Sequence, residues 1–387
     1  MNLNSLLSRK TSGTLLIREI DGFRFFAIAT VLLYHLNTHF VRSVELIGQP
    51  VNNPGSWLNS IIGRGSLGVD VFFAISGFIL ALPFARQHLF LEKPVSLKAY
   101  YIRRLTRLEP PYVVSLILLL LVHLLILHES FRNIFPNFLA SLFYVHSLVF
   151  DEWSKINPVA WSLEVEVQFY VLAPLLAMVF SIRKPVWRRV VLVTVIVASI
   201  AHYNFNYDMI EALHLRKSLF MNLHQFLIGF LFADLFLTDW KETLKQKSGV
   251  YDIAGIAAMS LLFVFNVTFN AYADLLFGIC LFISFIALFK GTLINAFFTN
   301  PWIVITGGMC YSIYLLHYAL IALLAKFSIT LFVPEWGYGI NYLVQVLVII
   351  PIVILVSAVF FTVIEKPCMD KDWPAKAWAW VKGMGRR

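Results

Sequence analysis

Arg24 and His35 share the stretch FRFFAIATVLLYHL (23–36), with ten residues between them. Eleven helical steps turn about 1,100°, so both side chains fall on one stripe, roughly 16 Å apart along the axis. The stretch is apolar enough for a bilayer, where it would hold a cation at one edge and an imidazole near mid-depth. Ionisable groups at that depth are costly and usually functional. An imidazole there can take a proton near neutral pH, as a general base must. The plainer account is a snorkelling Arg and a His hydrogen-bonded between helices.

The second signal is LKAYYIRRLTRLEPPY (97–112). Arg103, Arg104 and Arg107 precede an apolar run that opens with Pro110-Pro111, and Pro suits a helix start because its missing N–H costs nothing there. Arg104 and Arg107 are three apart and share a face. Guanidinium groups bind phosphate as bidentate forks. In isolation, ordinary anchoring to anionic lipid is the better account of such a cluster. In a chain that also carries a mid-membrane His, the pattern points to a phosphorylated ligand.

Three further segments carry polar groups inside apolar runs. GVDVFFAISGFIL (68–80) places Asp70 near the outer end of a span, where it could bind a substrate hydroxyl or a cation, though pairing with Arg64 or capping the helix is the plainer account. Its Gly77 lets helices approach closely. NPVAWSLEVEVQFYVLAP (157–174) offers Trp161, Ser162, Glu164 and Glu166. Glu166 suits acid–base work, a sugar hydroxyl or the positive end of a helix dipole; Trp161 suits a sugar face or an interfacial anchor. YSIYLLHYAL (311–320) sets Tyr311, Tyr314 and His317 on neighbouring positions of one face, as a pocket lining or as an interhelical hydrogen-bond cluster. Asp21 lies close to the Arg24 stripe and can orient that Arg.

These residues need elements to position them, and composition says which. Of 387 residues, 59% are hydrophobic and only 14% charged, against about 25% charged in soluble domains. Mean hydropathy is +0.76. The expected fold is an all-α, polytopic helical membrane bundle. Windows long enough to span fall near 23–41, 66–85, 110–128, 159–180, 190–206, 218–238, 250–268, 272–289, 302–325 and 341–364. An eleventh, 134–150, is short and contains Asn137, Ser141 and His146. If it does not cross and the N-terminus is inside, inner segments carry 23 Lys and Arg against 7 outside; if it crosses, the split becomes 13 against 17. The positive-inside rule selects the first. This gives about ten transmembrane helices, both termini cytoplasmic, and 134–150 as a re-entrant or outer-face segment. One membrane domain is expected over 1–387, with a core of about 20–367 and a basic cytoplasmic tail over 368–387.

The net charge of +9 belongs to inner loops and anionic lipid contact. No aromatic-interleaved basic groove suggests nucleic acid. Cys280, Cys310 and Cys368 form no metal or CxxC spacing, so neither a disulfide nor a metal is expected. The polar, basic N-terminus has no cleavable h-region, which makes the first span an uncleaved anchor.

The order DGFRFFAIATVLLYH, GVDVFFAISGFIL, YYIRRLTRLEPPY, WSLEVEVQFY, YSIYLLH and EKP (365–367) resembles the membrane-bound acyltransferase-3 family, from about Ile20 to Pro367. The combination carries the resemblance; no single element would. It implies transfer of an acyl group, usually acetyl, from cytoplasmic acyl-CoA to hydroxyls of surface glycans and related molecules. It implies that Arg24 and His35 form the catalytic pair and that Arg104 and Arg107, with Arg103 beside them, hold the CoA phosphates. Two positions depart from the pattern. NLHQFLIGFLFA (222–233) has Asn222 and His224 in a segment that often carries Arg, and Val167 stands where a second acid is common. Some members carry an external hydrolase-like domain; none is expected here, because the chain stops soon after its last span.

The resulting expectation is an O-acyltransferase of the cytoplasmic (inner) cell membrane, multi-pass, with acyl-CoA as co-substrate, an extracytoplasmic glycan or glycolipid acceptor and surrounding lipid as partners. An oligomer is compatible with the sequence. The alternative is a transporter or flippase for a glycan or lipid-linked sugar, against which stands the lack of an inverted repeat or of paired Gly/Pro-broken helices.

Overall fold

The computed structural model describes residues 7–9, 16–49, 57–206, 209–240, 246–266, 270–370 and 373. Among them every regular element is helical. In chain order these are α1 (Arg18–Leu46), α2 (Trp57–Ile62), α3 (Leu67–Phe90), α4 (Leu97–Leu125), α5 (Phe131–Leu142), α6 (His146–Phe150) and α7 (Trp161–Leu176). There follow α8 (Pro185–Asn206), α9 (Leu213–Arg216), α10 (Leu219–Thr238), α11 (Gly249–Phe265) and α12 (Ala271–Lys290). Last come α13 (Leu293–Phe298), α14 (Pro301–Gly308), α15 (Cys310–Ser328) and α16 (Gly337–Phe360). The tail expected over 368–387 lies, beyond Trp373, outside the described residues.

Eight helical segments are long and apolar enough to cross a membrane: 57–90, 97–125, 158–181, 185–206, 213–238, 271–290, 310–331 and 334–368. They cover eight of the ten expected windows. The remaining two fall on α11, which is shorter, and on α1. At 29 residues, α1 is amply long, but it carries Arg24, His35, Asn37 and His39. Its polar groups are enclosed by α3, α14, α15 and α16, all of which pack on it. The window 134–150 is divided between α5 and α6, of 12 and 5 residues, each too short to span about 30 Å at 1.5 Å per residue. Glu164 joins this segment to α7 by accepting from the backbone N–H groups of His146 and Ser147, both at 3.1 Å.

Close packing is tightest where α3 crosses α10. A Cβ on Gly77 would sit 2.0 Å from the Phe226 carbonyl oxygen, and one on Gly229 2.1 Å from that of Ala74. Only glycine allows the two backbones to touch there, the small-residue contact usual where helices meet in lipid. Around the crossing, Phe78, Phe226, Phe230, Phe232 and Phe285 are fully buried; Phe78, Phe232 and Phe285 pack ring against ring, and Phe226 and Phe230 pack on Phe169.

Two sequence expectations need correction. Pro110-Pro111 do not open a helix. α4 starts at Leu97, where the Ser96 side chain accepts from the Ala99 N–H at 3.3 Å, and runs through both prolines. A proline inside a helix leaves the carbonyl four residues back without its usual donor. For Pro110 that carbonyl belongs to Thr106, and the Trp373 indole N–H occupies it at 2.9 Å. The three arginines therefore ride on the same rigid helix as the apolar run. The window 302–325 is not one helix either. It breaks at Met309 between α14 and α15, where Gly307 presses against α1 so closely that a Cβ would lie 1.7 Å from the Asp21 carbonyl oxygen.

Candidate active site

A cavity of about 610 Å³ is walled by α1, α3, α4, α7, α15 and the turn at Glu365. Its charge is unbalanced. Arg103, Arg104 and Arg107 come from α4, Arg86 and Lys93 from the end of α3 and the loop after it, Arg24 from α1, and Arg9 from the chain before it. Against these seven cations stand three carboxylates, Glu92, Glu166 and Glu365. Among the described residues, Arg86, Arg103, Arg104 and Arg107 have no carboxylate within salt-bridge distance. The guanidinium of Arg104 lies 5.7 Å from the ring centres of both Tyr100 and Tyr170, within cation–π range of each. Such a wall suits a ligand with several phosphate charges.

Deeper in, the polar groups are tied down. Arg24 donates to Asp21 at 2.7 Å, and Arg9 meets the other oxygen of the same buried carboxylate at 3.0 Å. The expected Asp21–Arg24 orientation is thus present. Glu365 sits in a single π turn, Phe361–Glu365, a distortion that often marks functional positions. Its carboxylate accepts from the Ser312 N–H at 3.0 Å and the Ser312 hydroxyl at 2.5 Å. Ser76 donates to Glu166. Tyr314 donates to the Val159 carbonyl at 2.6 Å and lies 3.0 Å from the Ser162 hydroxyl. Tyr311 donates to the Leu108 carbonyl at 2.9 Å.

His35 is not in the wall. On α1 the lining includes Arg24 and Val31, which leaves His35 one turn beyond. Its ring contacts are Tyr34 at 4.8 Å, His317 at 5.2 Å and Tyr318 at 5.2 Å between centroids. His39 follows one turn on, 4.9 Å from Tyr318.

Of the expected pocket residues, Ser162, Glu166, Tyr311 and Tyr314 line the cavity, and His317 stands behind Tyr314 against His35. Asp70 and Trp161 belong elsewhere. Asp70 accepts from Gln225 at 3.2 Å and Asn266 at 3.3 Å. Arg64 does not pair with it but donates to the Phe263 carbonyl at 2.9 Å. Trp161 lies under the Lys217 ammonium, 4.1 Å from its ring centre, with Trp153 at 5.6 Å. Beside them, the exposed Asp151 accepts from the His214 N–H at 2.9 Å, which lowers its carboxyl below the usual range. Phe73, in the cavity wall, touches Trp161 at 6.3 Å, so this second cluster backs on to the cavity.

Sequence reasoning missed Arg9, Ser76, Arg86, Lys93, Tyr100, Tyr170 and Glu365. Glu365 was visible as the first residue of the EKP element, and Tyr100 as an aromatic one turn from Arg104. Arg9 and Lys93 carry no local signal. Among the described residues no group of three or more His, Cys, Asp or Glu is placed to hold a metal.

A family model described as an acyltransferase domain matches residues 17–362. The chain belongs to the acyltransferase-3 family. Among similar proteins, the putative O-acetyltransferase SACOL0978 of Staphylococcus aureus (strain COL) is 26% identical over 387 residues, covering 94% of this chain and 59% of that protein. The O-acetyltransferase OatA of Staphylococcus aureus (strain NCTC 8325 / PS 47) is 25% identical over 386 residues, covering 92% of this chain and 58% of its own length. The chain therefore spans under two thirds of these relatives. No solved structure matches.

Proposed function

We propose that this protein is an integral-membrane O-acyltransferase that moves an acyl group, acetyl in the first instance, from cytoplasmic acyl-CoA to a hydroxyl of a surface glycan or glycolipid. The observation that carries this reading is the excess of cationic over acidic groups in a cavity that approaches His35. CoA presents a 3′-phosphate and a pyrophosphate, and Arg103, Arg104 and Arg107 are arranged along one helix to meet them. The apolar flank formed by Ile75, Ile79 and Leu80 suits the pantetheine arm. Membership of an acyltransferase family supports the reaction class, and the printed names of the relatives support acetyl and oxygen as the two halves.

In the proposed reaction neutral His35 takes the proton of the acceptor hydroxyl as the oxygen attacks the thioester carbonyl. The C–O bond forms, the C–S bond breaks, and the proton returns to the leaving thiolate. Arg24, fixed by Asp21, holds the donor within the cavity. The Ser162 and Tyr314 hydroxyls offer polar contacts to the thioester end. The acceptor enters from the side of Trp153, Trp161 and Asp70. On this reading the protein lies in the cytoplasmic membrane with both termini inside.

Purified protein should transfer label from acetyl-CoA to a glycan acceptor. Loss of a general base costs about 10²–10⁴ in rate, so His35→Ala should be nearly inactive at matched protein level, while His39→Ala should not. His35→Gln should fail as well, because an amide cannot take the proton. Full activity in His35→Ala, or an equal loss in His39→Ala, would remove His35 from this role. Absence of transfer by the wild type with every acceptor tried would favour transport over chemistry.

A further inference from the structure

His317 is fully buried, and its two ring nitrogens face different surroundings. Nδ1 lies 2.8 Å from the Tyr314 carbonyl oxygen and 3.2 Å from that of Ile313. A carbonyl oxygen can only accept, so Nδ1 must carry the proton. A neutral imidazole with Nδ1–H has a bare lone pair on Nε2. That Nε2 is buried and, among the described residues, has no hydrogen-bond partner. An unpaired buried acceptor is costly and rare. The ring next to it is His35, 5.2 Å away between centroids and tilted by 50°. Two imidazoles joined by one N–H···N bond of about 2.9 Å have centroids about 5 Å apart. The separation is therefore right, and only ring orientation remains to be adjusted.

We propose that His317 is a positioning residue for acyl transfer: its backbone-fixed tautomer presents Nε2 to accept the ring N–H of His35, which turns the lone pair of His35 toward the acceptor hydroxyl. The inference rests on the assignment of His35 as general base. His317 keeps its own proton throughout. The hydroxyl proton moves to His35 and then to the thiolate sulfur, while the His317 lone pair stabilises the imidazolium formed in between. Tyr314 ties the arrangement to the cavity, since its carbonyl holds Nδ1 of His317 while its hydroxyl stands at Ser162. Such an arrangement uses a neutral acceptor where other general-base sites use a carboxylate, which suits a position inside a membrane.

The test compares variants in proteoliposomes with acetyl-CoA and the glycan acceptor, at matched amounts of protein that elutes as a single species. His317→Leu keeps apolar bulk and removes the acceptor. His317→Gln places an amide oxygen near the Nε2 position, and His317→Asn is too short to do so. His317→Leu and His317→Asn should lower kcat by roughly ten- to a hundredfold, the range of one hydrogen bond to a charged group, with KM for acetyl-CoA unchanged. His317→Gln should stay within roughly threefold of wild type. Equal activity in Gln and Asn variants overturns the proposal, and that comparison stands even if the Leu variant does not fold. A rise in KM that matches the fall in kcat would also overturn it, since it would mark a packing role. His35→Ala, measured alongside, separates the two ideas. If it is inactive and His317→Asn is not, only the His317 role is lost; if it is fully active, the His35 assignment has failed.

Discussion

Two arginine doublets in this chain look alike as strings and have opposite surroundings. Arg103-Arg104 lie in IRRL before the apolar part of α4, and Arg188-Arg189 lie in WRRV at the start of α8. Arg188 is fully buried; its Nε donates to Asp234 at 2.5 Å and its Nη1 to the Ile182 carbonyl at 2.7 Å. Arg189 donates to the second oxygen of Asp234 at 2.8 Å and to Asp239 at 2.8 Å. That doublet clamps α8 to α10 and its charge is answered inside the protein. Arg103, Arg104 and Arg107 line open volume, with Arg104 against two tyrosine rings, and none of the three has a carboxylate within salt-bridge distance among the described residues. On the proposed reading, whether another helix brings an acid to the doublet separates a structural clamp from a ligand site, and nothing within either string reveals it.

The comparison can be broken by removing charge on each side. Arg104→Ala with Arg107→Ala should have the largest effect. Each hydrogen bond to a charged group is worth about 1.5–3 kcal/mol, so the pair should raise the apparent KM for acetyl-CoA roughly a hundredfold or more. The melting temperature in detergent should barely move. An unchanged KM would return both residues to lipid anchoring.

Asp234→Ala should do the reverse. It leaves Arg188 buried without its counter-charge, a loss of about 3–5 kcal/mol. Thermal stability should fall steeply, and the protein that remains folded should show the wild-type KM. A stable Asp234→Ala protein with a raised KM would mean that the clamp belongs to the donor site.

Arg103→Ala should be smallest. Arg103 is exposed at the rim of the cavity, and exposed charges contribute about 0–1 kcal/mol. A change in KM of no more than a few-fold, reduced further by added salt, would place it in long-range attraction; an effect equal to that of Arg104 would place it on a phosphate.

Much of the architecture was legible because helices in lipid announce themselves by length and apolarity. The windows for α3, α4, α7, α8, α10, α12 and α16 each fall in a helical segment of spanning length. Arg24 with Asp21, and Arg104 with Arg107, were also visible, because residues three apart on a helix must be neighbours. What stayed hidden depends on partners far along the chain. Pro110 frees the Thr106 carbonyl within α4, and Trp373, 267 residues away, takes it. The break at Met309 answers the backbone of Asp21, nearly three hundred residues earlier in the chain. Asp70 reads as a structural acid beside Arg64 or at a helix end, yet its partners are Gln225 and Asn266, 155 and 196 residues away. The same long-range logic brings Glu365 and Arg9 to the cavity.

The enclosure of α1 also bears on how the protein is made. The Asn37 amide nitrogen donates to Asn59 at 2.7 Å, and its oxygen accepts from the Tyr338 hydroxyl at 2.7 Å, a residue 301 positions later. Tyr342 reaches back in the same way to the Leu33 carbonyl, at 2.9 Å. When α1 leaves the ribosome, α15 and α16 have not been translated, and its His35 and Asn37 have only lipid or water to face. Lipid offers polar groups no partners, so α1 has to wait in a watery or chaperoned setting, or lean on α3, until the last helices arrive. The residues proposed to carry the chemistry thus make the order of assembly, and not only the final packing, a condition for activity.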